Sequence, residues 1–201
     1  VFGVISWPDP FGKASVITSS FILVGILFFI GFTVPRVVTV SNGTARLSHS
    51  MTTEPVELKR FPLDKMDGII TQSGIQIDKQ ITSDGNGSLR IEATEPTTVR
   101  LFETGDIDIE NARLIYQAQL RTEEVDHNAY LEMWCHFPGK GDFFSRDPTP
   151  LSGTTEWTTE ETLFFLKDGE NPDNVKLNLV INGHGTVWID DIRLLKGPLK
   201  Y

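Results

Sequence analysis

The chain has 201 residues, with 18 Lys and Arg against 27 Asp and Glu, a formal net charge of −9 and a pI near 4.9. An acidic chain with no basic stripe excludes nucleic acid as a partner class, and it is repelled by anionic lipid surfaces. The single Cys135 excludes an intrachain disulfide and a cysteine metal cluster.

Residues 1–13 (VFGVISWPDPFGK) place Phe2, Trp7 and Phe11 beside two prolines. Aromatics next to an apolar run favour the membrane interface, so this is read as a juxtamembrane interfacial segment. Residues 14–35 carry no charged side chain between Lys13 and Arg36. As an α-helix they span roughly 33 Å, enough to cross a hydrocarbon core of about 30 Å. A helix satisfies its own backbone polar groups, which lipid requires. The run is longer than a signal-peptide core of about 7–15 residues and lacks a small-residue cleavage site after it. A single-pass transmembrane helix is therefore expected. The bulk of the chain is expected on the periplasmic or extracellular side, the commoner arrangement for a short tail and a large domain. Residues 36–56 are read as a short connector in which Asn42-Gly43 signals a hairpin turn.

Residues 57–196 show short apolar-alternating runs separated by turn chemistry, and no helical period. Strands are expected at 89–93, 98–103, 112–122, 129–137, 161–166, 175–181 and 186–195. Turns fall at Asp84-Gly-Asn-Gly87, Pro138-Gly-Lys-Gly141, Lys167-Asp-Gly169 and Asn182-Gly-His-Gly185. Many closely spaced strands mean an antiparallel sandwich or barrel. Residues 197–201 form a C-terminal tail. The fold class expected is all-β, an antiparallel β-sandwich of jelly-roll type preceded by one transmembrane α-helix.

Alternation assigns faces. Leu114, Tyr116, Ala118 and Leu120 oppose Ile115, Gln117, Gln119 and Arg121. Leu131, Met133, Cys135 and Phe137 oppose Tyr130, Glu132, Trp134 and His136. Val175, Leu177, Leu179 and Ile181 oppose Lys176, Asn178 and Val180. The greasy faces make the core. In the last strand the apolar parity changes between Ile189 and Ile192, which predicts a bulge at Asp190-Asp191.

The stretches DGNGSLRIEA, AYLEMWCHFPGKGDFFSR, GTTEWTTEE and VKLNLVINGHGTVWIDDIRLL resemble the jelly-roll carbohydrate-binding-module or galactose-binding-like superfamily. Among its members the likeness is to uncharacterised membrane-anchored bacterial domains. The resemblance implies two packed antiparallel sheets, with ligands taken on the concave sheet or at loop ends. Related jelly rolls often place a structural calcium beside the final strand, which nominates Asp190 and Asp191. Calcium wants six to eight oxygens and two carboxylates supply few; the other reading pairs these acids with Arg193.

Gln117, Gln119, Arg121, Tyr130, Glu132, Trp134, His136, Lys176 and Asn178 form the candidate binding face. Rings against sugar C–H faces, with amides and charges for hydroxyls, suit a glycan. The same face also suits a protein partner, a covering juxtamembrane segment, or plain solvent. Phe143 and Phe144 are read as a contact pair on a loop. No nucleophile elbow, metalloprotease motif or phosphate loop occurs, and Glu132 has no partner carboxylate on its strand. A non-enzyme without cofactor, other than the structural calcium, is expected. The first functional expectation is an accessory or scaffolding subunit of a larger membrane complex, photosynthetic or respiratory, contacting other membrane protein subunits and the bilayer. The second is a membrane-tethered carbohydrate-binding module.

Overall fold

The structure is a computed structural model and describes residues 54–105 and 107–199. The expected membrane helix at 14–35, the interfacial Phe2, Trp7 and Phe11, and nearly all of the connector lie outside the described residues. Among the described residues no helix is long and apolar enough to cross a membrane.

Nine strands follow in order: β1 (Val56–Phe61), β2 (Ile75–Asp78), β3 (Ser88–Ala93), β4 (Thr97–Gly105), β5 (Ala112–Phe137), β6 (Gly141–Arg146), β7 (Leu151–Leu166), β8 (Asn174–Asn182) and β9 (Gly185–Gly197). Every pairing is antiparallel. The described region is all-β, as the turn-punctuated alternation requires.

β5 organises the sheet. Its first half pairs with β7 on one side and β9 on the other. Its second half pairs with β6 and β8. One layer therefore runs β2-β3-β9-β5-β7, with β1 alongside the far end of β9; the other runs β4-β8-β5-β6. The layers close over one apolar cluster that takes Leu114, Tyr116 and Leu120 from one half of β5 and Leu131, Met133 and Cys135 from the other. Contacts bridge them face to face: Phe61 of β1 stacks on Phe102 of β4 with centroids 4.5 Å apart. Burying each such Leu or Met stabilises the fold by about 1.5–3 kcal/mol.

The expected strands at 112–122 and 129–137 are one continuous strand. Residues 123–128, which separate the two expected strands, do not break the strand; the chain bends there. Glu124 takes a positive φ of 53°, the register with β7 shifts between Thr122 and Ala129, and the buried parity changes from even to odd residues. The shift lets one strand present apolar side chains inward in both layers. The turn at Asn182–Gly185 also holds. A Cβ on Gly183 would lie 1.9 Å from Asp126 Oδ1, because that carboxylate accepts the His184 backbone N–H at 2.8 Å. The predicted bulge in β9 is present: Gln117 pairs with Arg193 but Gln119 with Asp190, and Asp191 takes a φ of 49°.

Candidate functional site

The outward face of the β4-β8-β5-β6 layer is built from cross-strand rows. Arg100 lies opposite Asn178, Asn178 opposite Glu132, and Glu132 opposite Arg146. The next row sets Glu103, Lys176, Trp134 and Phe144 side by side. Each row crosses three strand spacings, roughly 14 Å. The floor is the central strand β8. Asn178 and Val180 point outward yet are only 9% and 8% exposed, since β8 is flanked by β4 and β5 on both sides. These rows leave a strip of short side chains along β8 between aromatic and charged flanks, a candidate groove.

Its walls are held in place. Glu132 Oε1 accepts the Trp134 indole N–H at 2.7 Å and the Asn178 amide N–H at 3.1 Å. Trp134 packs against Phe144 with centroids 5.0 Å apart and planes tilted by 32°. The indole is thus fixed on its polar edge and on one flank, which orients its ring beside the floor. His136 Nδ1 lies 2.6 Å from Asp173 Oδ1, and Asn174 donates to Glu103 Oε1 at 2.9 Å. An aromatic platform, a buried planar amide, a fixed carboxylate and two arginines can take apolar C–H faces and hydroxyl groups together.

Tyr130, Glu132, Trp134, His136, Lys176 and Asn178 share this face. Gln117, Gln119 and Arg121 do not. The bend in β5 carries them to the outer side of the opposite layer, so the nine residues do not line one groove. There Gln119 donates to Thr159 Oγ1 at 2.7 Å, and Arg121 meets Glu156 at 3.4 Å. Arg121 and Arg90 flank Trp188, 5.9 and 5.7 Å from its ring, while the indole N–H reaches Asp78 Oδ2 at 3.0 Å. Trp188 is thereby packed and buried.

Phe143 and Phe144 lie on β6 rather than on a loop, so strand alternation sends them apart. Phe144 joins the groove. Phe143 turns to the edge of the sandwich and meets Phe137 edge-on at 5.8 Å. Arg100 and Arg146 are residues of this face that the sequence did not single out, whereas Phe144, expected as a loop contact, reaches it from a strand. The alternation of Thr98 and Arg100 with Val99 and Leu101 carried a readable signal; the six residues of β6, hemmed by PGKG and Asp147-Pro148, did not.

Asp190 and Asp191 do not fit a calcium ion. Asp190 Oδ2 accepts the Ser83 backbone N–H and hydroxyl at 2.8 and 2.7 Å, and Oδ1 accepts the Asp191 N–H at 2.7 Å. Asp191 is gripped by Arg193 at 3.0 and 2.6 Å and by Arg60 at 2.7 Å. In the adjoining cavity of about 450 Å³, the carbonyls of Asp64 and Asn86 converge on the Lys79 ammonium at 2.8 and 2.7 Å. Three basic side chains already supply the positive charge that a metal would bring. The pairing with Arg193 is what the geometry supports. Cys135 is fully buried; desolvation pushes its thiol up to about 12, so it stays a thiol.

No family model and no curated protein sequence matches the chain. Solved structures do match by shape. The CBM22-1 xylan-binding domain of Paenibacillus barcinonensis Xyn10C gives a TM-score of 0.52 at 12% identity, over 72% of this chain and 96% of that domain. The CBM22-1-GH10 modules of Clostridium thermocellum Xyn10B, complexed with xylohexaose, give 0.54 at 8% identity, over 70% of this chain and 28% of that one. The CBM22-1-CBM22-2 tandem domain of Paenibacillus barcinonensis Xyn10C gives 0.53 at 11% identity, over 74% and 47%. At such identities the likeness is one of fold: the described domain has the architecture of carbohydrate-binding-module β-sandwiches.

Proposed function

We propose that the protein is a non-catalytic, membrane-tethered glycan-binding protein whose groove over β8 takes an extended polysaccharide strand. The observation that carries this reading is the fixed indole of Trp134, held by Glu132 and Phe144 beside the buried Asn178 and Val180 of β8. Packed aromatic platforms beside a few placed polar groups are how concave sites bind organic ligands. The fold neighbours support it, since their names describe xylan-binding domains and a xylohexaose complex. Xylan is therefore the first ligand to test.

The carboxylates support binding without hydrolysis. Glycoside cleavage needs two carboxyl groups flanking the bond. The row neighbours of Glu132 are Asn178 and Arg146, and Glu132 Oε1 is committed to two hydrogen bonds. Tethering, with the domain periplasmic or extracellular, rests on the uncharged run at 14–35. The accessory-subunit reading draws on that run, its aromatic flank, the short connector, the mixed sheet face and the missing catalytic motifs; the fold neighbours favour the glycan reading over it.

Affinity electrophoresis of the full chain through gels containing soluble xylan, mixed-linkage β-glucan or galactan tests the reading. Retardation in at least one gel, without release of reducing sugar, is the expected result. Unchanged migration in all three would overturn it.

A further inference from the structure

The two layers meet along an edge where β6 faces β7. On β6 and the residue after it, alternation turns Phe143, Ser145 and Asp147 inward; on β7 it turns Phe164, Thr162 and Glu160 inward. The edge thus closes in three rungs. Phe143 and Phe164 both pack on Phe137. Ser145 Oγ lies 2.8 Å from Thr162 Oγ1 and donates to the Leu163 carbonyl at 2.9 Å. The third rung sets two buried carboxyl groups, Asp147 and Glu160, at the next step along the edge, where both line one cavity.

This rung is unlike the first two. Asp147 and Glu160 are 4% and 6% exposed. Asp147 Oδ1 accepts the Thr149 N–H at 2.8 Å and its hydroxyl at 3.1 Å. Asp147 Oδ2 is buried with no hydrogen-bond partner among the described residues. Burial and the neighbouring Asp147 push Glu160 up to about 8. A shared proton neutralises one carboxyl and leaves the second charge buried and uncompensated, which is costly. A doubly charged ion neutralises both. The pair opens onto a cavity of about 520 Å³ that Ser145, Thr149 and Thr162 also line, with Arg146 and Glu161 as the other charged groups on its wall, and with room for water ligands.

We propose that Asp147 and Glu160 bind a hard divalent cation, calcium or magnesium, which closes this edge of the sandwich. No cluster of three or more His, Cys, Asp or Glu side chains occurs among the described residues. The remaining ligands are therefore hydroxyl and water oxygens, which suit hard cations and not zinc. Two carboxylates place the affinity in the weak class, a Kd of about 10⁻⁴–10⁻³ M for calcium. Because Glu160 must lose its proton to bind, affinity rises with pH between 6 and 8. This site is separate from the acid pair of β9, whose oxygens are already taken.

The full chain, stripped with EDTA, is titrated with CaCl₂ or MgCl₂ by calorimetry and thermal melting at pH 6 and pH 8. One ion per chain binds, more tightly at pH 8. At about ten times Kd it raises Tm by roughly 3–6 °C. Calcium responding more than magnesium assigns the larger, more flexible coordination; the reverse assigns the hydrated octahedral one. Glu160→Gln mimics the protonated acid, keeps the fold by circular dichroism and abolishes the response; Asp147→Asn does the same, while Asp191→Asn retains it. No heat and no Tm shift at about 10 mM of either ion, well above the weak class, would show that a proton alone joins the pair. A response lost in Asp191→Asn but kept in Glu160→Gln would also overturn the assignment.

Discussion

Trp134→Ala is the sharpest perturbation of the groove. The substitution removes the ring packed on Phe144 at 5.0 Å and the indole donor 2.7 Å from Glu132. It leaves Asn178 still donating to the same carboxylate oxygen, so the floor keeps its amide in place. Trp134 is half-buried, and water can replace its donor at the partly exposed Glu132. The expected loss of stability is therefore modest, about 1–2 kcal/mol, or roughly 2–8 °C in Tm. Binding loses far more. An aromatic anchor at the centre of a site is worth about 2 kcal/mol or more on truncation, a loss of roughly 30-fold in affinity. Titration of the full chain with xylohexaose measures this, alongside Gln117→Ala on the opposite layer, which leaves affinity unchanged. Trp134→Phe separates the two roles of the indole: it keeps an apolar ring but frees Glu132, and retains more affinity than Ala. A Trp134→Ala affinity within twofold of the wild type would refute the argument. So would an equal loss in Gln117→Ala, which would move the site to the other face.

Tyr116 is fully buried in the core and its hydroxyl has no hydrogen-bond partner among the described residues. Tyr116→Phe removes an unpaired polar group at constant shape and should raise stability by about 1 kcal/mol or more, read as a rise in Tm of roughly 2–4 °C. The acid rung predicts a pH dependence in EDTA. Glu160 is held protonated to about 8, above its unfolded value, so the folded state binds the extra proton. Its stabilising effect is full below the unfolded pKa of about 4.3 and is lost as pH rises toward 8, with a limiting slope of about 1.4 kcal/mol per pH unit. Urea unfolding between pH 5 and 8 shows this decline in the wild type. Glu160→Gln flattens it, and an unchanged slope in that variant would place the titration elsewhere.

What the sequence revealed followed from period-two alternation. The inward faces of β5, β8 and β9 were legible because each strand is apolar on alternate residues, and one residue of slip would have exposed them all. The bulge at Asp190-Asp191 was legible as a change of parity within one run. The bend in β5 was not. Glu123 to Asn128 is a polar stretch with no glycine, and the positive φ falls on Glu124, a residue type that carries no turn signal. Missing it merged two outward faces into one site and drew Gln117, Gln119 and Arg121 into the groove. β6 was missed for a related reason. Its six residues pack apolar rings on both faces, since Phe143 serves the edge and Phe144 the groove, so no alternation marks it.

That double use of β6 links the two proposed sites. The strand has few supports: the ladder to the second half of β5, the Phe143 and Ser145 contacts across the edge, and the acid rung that follows at Asp147. Its outward side chains, Phe144 and Arg146, form one wall of the groove. With both carboxyl groups ionised, the repulsion between Asp147 and Glu160 would push β6 away from β7 and carry the wall against Trp134 with it. Glycan affinity should therefore fall as pH is raised from 6 to 8 in EDTA, and the divalent ion should restore it. Titration of xylohexaose at both pH values, with and without about 10 mM calcium, reads the coupling directly. By linkage, saturating xylohexaose must then tighten calcium by the same factor that calcium tightens xylohexaose. Equal affinity in all four conditions would show that the groove wall is held by the β5 ladder alone.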